Sequence, residues 1–160
     1  MSPLPWHLLP STAAVGENGH LTIGGCDILD LAREFGTPAF IYDEDHLRAR
    51  CREAVAAFGS HATYATMAFL CKAMAKLAYE EGMGLDVASG GELHTCLAAG
   101  VPAERLVLHG NNKSVSELQL AREAGVGRIV IDSFDELNRL ERLHAEDGIS
   151  PKVLLRITPG

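Results

Sequence analysis

A series of alternating strands and helices opens with Tyr64-Ala65-Thr66-Met67-Ala68-Phe69, a short apolar run. Apolar strands are predicted to begin at a nearly constant spacing of 20 to 24 residues, near Tyr64, Gly84, Arg105, Arg128 and Lys152. Helical patterns lie between them, over 72–81, 91–99, 115–124 and 134–145. Strands that alternate with helices predict a parallel sheet, because a parallel neighbour is reached only through a crossover connection.

The ends of these helical patterns carry their own signals. Glycine follows three of the patterns at the place of a C-cap, at Gly82, Gly100 and Gly125, and Gly148 closes the fourth after a short tail. Ser114 and Glu117 have the spacing of a capping box, which indicates that the third helix begins there.

Two architectures contain such a parallel sheet, the doubly wound sheet and the (β/α)₈ barrel. Units of nearly constant length, with polar residues after every strand, favour the barrel. The predicted fold class is therefore α/β, with a partial (β/α)₈ TIM barrel of about five βα units. Since the chain stops at Pro159-Gly160 directly after a strand, we interpret the barrel as truncated.

The residues before the repeats are organised differently. Residues 1–20 predict an irregular lead-in, and a short strand at 21–23 precedes a helix over 28–35 that Gly36 closes. A further strand is predicted at 38–42, and Asp43 or Asp45 can cap a helix that runs to Phe58. We divide the chain into a lead-in and N-terminal segment, 1–42, and a barrel portion, 43–160.

Composition excludes several classes of partner. The 14 basic residues are spread without a cluster and the net charge is −7, so no nucleic-acid partner is predicted. No apolar run approaches the roughly 20 residues that cross a bilayer, and the N-terminus lacks the pattern of a signal peptide, so a cytoplasmic location is expected. Four cysteines without a CxxC pair predict buried, reduced thiols, and no metal site is predicted.

Polar residues collect directly after the predicted strands. In a barrel the ends of the strands share one mouth, so these residues are expected to lie close together. Met67 stands after the first strand. The polar residues are Asp86 with Ser89 and Glu92 after the second strand, His109 after the third, Asp132 with Ser133 after the fourth, and Arg156 in the fifth. Such a set could hold a small charged molecule.

Each of these residues also has a structural explanation. Asp132 and Ser133 could only cap the following helix, Glu92 could be a solvated first-turn residue, and His109 could be a structural histidine. Arg156 lies inside the apolar run 153–157, where an unpaired charge is costly, so it requires an anionic partner.

Several motifs together resemble the N-terminal part of diaminopimelate decarboxylase, within the fold-type III pyridoxal-phosphate decarboxylases. They are LTIGG at 21–25, GTPAFIYD at 36–43, Tyr64-Ala65, GLDVASGGEL at 84–93 and HGNNKS at 109–114. AFLC at 68–71 and HGNNKS resemble the actinobacterial branch of the family. Related enzymes of the same fold group act on ornithine or arginine.

The resemblance implies a cofactor, a reaction and an assembly. It implies a pyridoxal 5′-phosphate enzyme that decarboxylates meso-diaminopimelate to lysine, with an amino acid as its small-molecule substrate. It also implies a homodimer when the protein is full length, and a second, β-rich domain to which the first 40 or so residues partly belong. Asp86, Ser89, Glu92, His109 and Arg156 would line the cofactor pocket.

One position departs from the family pattern. The family has Tyr-Ala-x-Lys-Ala at the end of the first barrel strand, and Met67 stands at the place of the lysine that forms the Schiff base. A thioether cannot supply that amine, and Lys72 and Lys113 are the only lysines near the expected mouth. This departure leaves an alternative open, a non-catalytic homologue that binds a ligand or regulates an active partner.

Overall fold

A computed structural model describes residues 5–159 of the chain, which fall into two compact units divided between Glu53 and Ala54. The first unit contains an antiparallel three-stranded sheet in the order β1 (Ala14–Val15), β2 (Leu21–Ile23) and β3 (Cys26–Asp27), with a 3₁₀ turn at Trp6–Leu8 before it. Helix α1 (Ile28–Phe35) follows, and helix α2 (Glu44–Phe58) runs across the division between the units.

Both N-terminal helices begin at an aspartate cap. Asp27 Oδ1 accepts a hydrogen bond from the backbone N–H of Leu29 at 2.8 Å, and Asp43 Oδ1 accepts one from His46 at 3.3 Å. Hydrogen bonds from His20 and Asn18 lower the pKa of Asp27 to about 2. The predicted strand at 21–23, the helix at 28–35 and the helix up to Phe58 are therefore confirmed.

The strand predicted at 38–42 is wrong. These residues form no strand, and the N-terminal sheet consists of β1, β2 and β3 alone among the described residues. An apolar run becomes a strand only where a neighbouring backbone pairs with it, and Pro38 has no N–H to donate. A local pattern does not contain this information.

The second unit contains the predicted parallel sheet. Its five strands pair in sequence order, β4 (Thr63–Ala65), β5 (Gly84–Val87), β6 (Leu106–Leu108), β7 (Arg128–Ile131) and β8 (Val153–Leu155). Between them lie α3 (Lys72–Glu80), α4 (Gly90–Ala98), α5 (Val115–Ala124) and α6 (Phe134–Asp147), with 3₁₀ turns at Gly59–His61, Thr66–Ala68 and Ala103–Arg105. The repeated units and their spacing are confirmed.

The core of this unit lies between the sheet and the helices. Leu85, Val87, Leu106, Leu108 and Ile129 of the central strands are fully buried. Helix residues that pack on them include Ala75, Leu93, Leu118 and Ala121. Burial of such side chains contributes about 1.5–3 kcal/mol each, so these contacts dominate the stability of the unit.

The last two strands of the sheet differ in their surroundings: β7 starts where two backbone segments approach closely, and β8 is an exposed edge strand. A Cβ atom at Gly127, just before β7, would lie 2.2 Å from the carbonyl oxygen of Glu104, so only glycine fits there. Strand β8 is exposed along its whole length, with Leu155 68% accessible.

The four cysteines divide equally between buried and exposed positions. Cys51 and Cys96 are buried as predicted, and burial raises the pKa of the Cys96 thiol to about 11, but Cys26 and Cys71 are exposed, so that prediction was half wrong. Within residues 5–159 the helices lack the length and apolarity that crossing a membrane requires.

Candidate functional site

The register of the parallel sheet brings the strand ends to one edge. Ala65 lies opposite Asp86, and Val87 lies opposite Leu108. His109 follows directly, and its backbone N–H donates to the carbonyl of Val87 at 2.8 Å, so the ladder extends to the histidine. The expected convergence of Asp86 and His109 is therefore confirmed.

The side chains of Asp86 and His109 form a partly buried pair. His109 Nδ1 lies 3.5 Å from Asp86 Oδ2, and the two side chains are 36% and 25% exposed. Burial raises the pKa of Asp86, and the neighbouring His109 opposes this shift. The other carboxylate oxygen, Asp86 Oδ1, is buried and has no hydrogen-bond partner within residues 5–159. An unfilled buried acceptor of this kind fits a ligand that brings a donor.

Glu92 is bound to the protein on two sides. Its Oε2 accepts a hydrogen bond from the backbone N–H of Ala88 at 2.7 Å and lies 3.0 Å from the hydroxyl of Thr66. The same hydroxyl lies 2.8 Å from the carbonyl oxygen of Asp86, so its single proton is shared between two acceptors. The interpretation of Glu92 as a solvated first-turn residue is wrong, because its carboxylate joins two loops.

The serines at the site cap helices. Ser89 Oγ accepts from the N–H of Glu92 at 3.3 Å, and Ser133 Oγ accepts from the N–H of Glu136 at 3.2 Å. Direct contact of Ser89 or Glu92 with a cofactor stays a prediction.

Arg156 has the anionic partner that its charge requires. Its NH1 donates to Asp132 Oδ1 at 2.7 Å, which joins the ends of β7 and β8. Asp132 is therefore an ion-pair partner and Ser133 alone is the cap. The expectation of an anionic partner is therefore confirmed, and the Arg156 side chain is 48% exposed because β8 is an edge strand.

Met67 lies in the 3₁₀ turn directly after β4 and is 67% exposed. The turn is held on both sides, since Thr66 binds the β5 loop and the Tyr64 hydroxyl donates to the carbonyl of Phe69 at 2.7 Å. The position at the end of the first barrel strand is thus well defined, and the residue in it has no amine.

The two nearby lysines lie in different environments. Lys113 is 1% exposed, and its ammonium group lies 2.8 Å from Glu136 Oε1 and donates to the carbonyl of Gly110. Lys72 is exposed at the first position of α3. The buried Lys113–Glu136 pair was missed by sequence reasoning, although a serine three residues before a glutamate marks the start of α4, α5 and α6 alike.

The residues fit pyridoxal phosphate in part. Asp86 provides a free carboxylate oxygen, and His109 provides an aromatic ring beside it at the strand ends. Position 67 does not fit covalent attachment, because methionine offers no nitrogen.

Fold and site together define a barrel-type cofactor-binding domain. The profile of the family described as pyridoxal-dependent decarboxylase, pyridoxal binding domain, matches residues 44–160, and the chain belongs to this family. Its cofactor is accordingly pyridoxal phosphate.

Individual relatives are similar over almost the whole chain. Diaminopimelate decarboxylase of Mycobacterium tuberculosis (strain ATCC 25618 / H37Rv) is 50% identical over 162 residues, which cover 100% of this chain and 36% of that protein. The Bacillus subtilis (strain 168) enzyme of the same name is 50% identical over 157 residues, 95% of this chain and 36% of that protein. The M. jannaschii enzyme solved in co-complex with L-lysine superposes with a TM-score of 0.87 at 29% identity, over 94% of this chain and 37% of that one. The chain thus spans about a third of the length of these relatives.

Proposed function

We propose that this chain is the cofactor-binding part of a decarboxylase that converts meso-diaminopimelate to lysine with pyridoxal phosphate. Support comes from the 50% identity to proteins named diaminopimelate decarboxylase in two distant bacteria. The M. jannaschii relative was solved with L-lysine, which is what remains when meso-diaminopimelate loses a carboxyl group.

The observation that carries the proposal is the unfilled carboxylate oxygen of Asp86 beside His109, at the edge where the strand ends meet. Bound pyridoxal phosphate supplies an electron sink for the charge that is left when a carboxylate departs as carbon dioxide. Asp86 would accept a hydrogen bond from the bound molecule, and His109 would pack against it and orient Asp86. Arg156 and Asp132 would form one wall, and Ser89 and Glu92 would fix the loop after β5.

Binding of pyridoxal phosphate to the chain tests this assignment. We expect Asp86→Ala and His109→Ala each to weaken binding about tenfold, as the loss of one charge-assisted hydrogen bond or one ring contact predicts. Matched controls are Asp45→Ala and His94→Ala, which remove exposed residues of the same types. Equal affinity in all five proteins, measured by fluorescence titration, would contradict the assignment.

Met67 favours a second candidate function, a non-catalytic homologue of these decarboxylases. The thioether cannot form the covalent bond to the cofactor, and Lys113 is held in a buried ion pair. The distinguishing experiment uses a chain extended to the length of its relatives, with Met67 or with Met67→Lys, and measures release of carbon dioxide from meso-diaminopimelate. Activity gained by Met67→Lys supports a decarboxylase site that is otherwise intact, and continued inactivity supports the second candidate.

The proposal also covers the substrate, the location, the assembly and the domain boundaries of the protein. Ornithine or arginine as substrate is the alternative, and the same assay with each amino acid distinguishes them. We also propose that the longer protein is a cytoplasmic homodimer, that 43–160 belongs to its barrel, and that 1–42 belongs partly to its β-rich domain.

A further inference from the structure

Three successive helices of the second unit begin in the same way. Each of α4, α5 and α6 has a serine N-cap followed by glutamate at the third helical position. An ordinary capping box satisfies only the N–H groups of its own helix. In this protein each glutamate also binds the loop of the βα unit one earlier in the chain, which an ordinary cap does not do.

Glu117 joins the loop after Asp86 to the loop after His109. Its Oε2 accepts from the backbone N–H of Ser114 at 2.8 Å, and its Oε1 accepts from the N–H of Gly90 at 2.7 Å. These two hydrogen bonds lower the pKa of Glu117, so the bridging carboxylate stays ionised. The approach is close, since a Cβ atom on Gly90 would lie 3.1 Å from Glu117 Cγ.

Glu136 fixes the other end of the loop that carries His109. Its side chain is 3% exposed, its Oε2 accepts from the N–H of Asp132 at 2.8 Å, and its Oε1 binds the ammonium group of Lys113. Arg139 donates to the carbonyl of Lys113 at 2.6 Å and holds the same turn from outside. The loop between His109 and Ser114 is therefore tied at Lys113 to the β7 loop and at Ser114 to the β5 loop.

Together these bonds link the loops after all five strands of the parallel sheet, each loop to the next. Glu92 links the β4 and β5 loops, Glu117 links the β5 and β6 loops, Glu136 links the β6 and β7 loops, and the Asp132–Arg156 pair links β7 to β8. A carboxylate that accepts two N–H bonds from two loops fixes their separation, because both bonds are charge-assisted and directional.

We propose that Glu117 and Glu136 are positioning residues, which set the Asp86–His109 pair by holding the loops that carry it at a fixed separation. Neither glutamate contacts the bound molecule in this account, and both act through His109. The inference rests on the proposed function in so far as the pair binds the cofactor.

The central variant is Glu117→Gln, because the amide oxygen can accept one N–H while the amide nitrogen cannot accept the other. Glu123→Gln is the control, since Glu123 lies exposed on the same helix and the charge change is identical. We expect Glu117→Gln to shift the NMR signals of the His109 ring at fixed pH and to raise the exchange rate of the Gly90 amide about tenfold. Glu123→Gln should change neither.

A thermodynamic cycle tests whether Glu117 acts through His109. We expect Glu117→Gln to weaken pyridoxal phosphate binding roughly tenfold in the otherwise unchanged chain and to have no effect in the His109→Ala background. Additive losses, or a lower melting temperature with unchanged His109 signals, would overturn the positioning role. If Glu117→Gln does not fold, Gly90→Ala decides the question, because its methyl group displaces the Glu117 side chain and should shift the same signals.

The two proposals can fail separately. If pyridoxal phosphate does not bind the unaltered chain, the proposed function is wrong. The NMR shifts of the His109 ring and the exchange rate of the Gly90 amide still test the positioning role, because neither measurement needs the cofactor. Glu136→Gln, with the exposed Glu141→Gln as control, should reproduce the His109 shift from the opposite end of the loop. Unchanged His109 signals in Glu136→Gln would remove Glu136 from the proposal.

Discussion

Asp86 shows how one residue can lower stability and still serve a site. Its carboxyl group is half-buried at the end of β5, one of its oxygens has no partner within residues 5–159, and burial raises its pKa. Leaving a buried acceptor unpaired costs about 1–3 kcal/mol. A protein that needs this oxygen for a ligand bears that cost in the free state.

The raised pKa of Asp86 predicts a specific pH dependence. The folded chain holds the Asp86 proton more tightly than the unfolded chain does, so the contribution of this group to stability is greatest below the ordinary value of 3.8. It is lost as the pH rises through the raised pKa. We expect the unfolding free energy of the unaltered chain to fall relative to that of Asp86→Asn over this range, measured by urea unfolding at several pH values. A difference that stays flat over this range would contradict the burial of the charge.

At the scale of elements, the strands and helices of the second unit were predictable to within a few residues. Their signals are local, because buried strands are continuous apolar runs and glycines end the helices in left-handed geometry. The strand predicted at 38–42 failed because pairing depends on a distant backbone. The bridging glutamates were missed for the same reason, since Gly90 is 27 residues from its acceptor on Glu117. In the candidate site, sequence placed Asp86 and His109 together but could not show which oxygen is free.

Gly127 lies where the backbone before β7 approaches the carbonyl of Glu104 too closely for any side chain. A methyl group at this position meets the carbonyl of Glu104 at 2.2 Å, so β7 cannot enter the sheet without a backbone shift. We expect Gly127→Ala to destabilise the chain by about 1–3 kcal/mol, as overpacking does. At Gly91, in the first turn of α4, a Cβ would meet nothing closer than Ser89 Oγ at 3.9 Å, so Gly91→Ala should stabilise by about 0.5–1 kcal/mol. Thermal unfolding of both variants checks the opposite signs, and equal effects would contradict the close approach.

At the scale of the whole chain, the parallel sheet has an exposed edge at β8. Leu155 and Ile157 are 68% and 80% exposed, and the strand offers unpaired backbone groups on its outer side. Exposed apolar edge strands are templates for association with another chain. Among the described residues, the β8 edge is therefore an expected place for another strand to pair.

Self-association of the chain follows from this edge. We expect it to increase with concentration and to fall at least severalfold in Leu155→Lys, because a lysine on an edge strand opposes pairing. Leu120→Lys on α5 is the control, since it adds the same charge at a leucine that is 38% exposed and lies outside the sheet. Light scattering across a concentration series measures the effect, and equal behaviour of the two variants would show that β8 is not the contact.

The central claim is that the strand ends form a pyridoxal phosphate site whose covalent position is residue 67. Covalent trapping in Met67→Lys tests it most directly, by incubation with pyridoxal phosphate, borohydride reduction and peptide mass mapping. The account predicts one cofactor adduct, at position 67, that is absent from the unaltered chain and is reduced by Asp86→Ala in the same background. An adduct at Lys72 or Lys113 instead, or no adduct at position 67, would contradict the account.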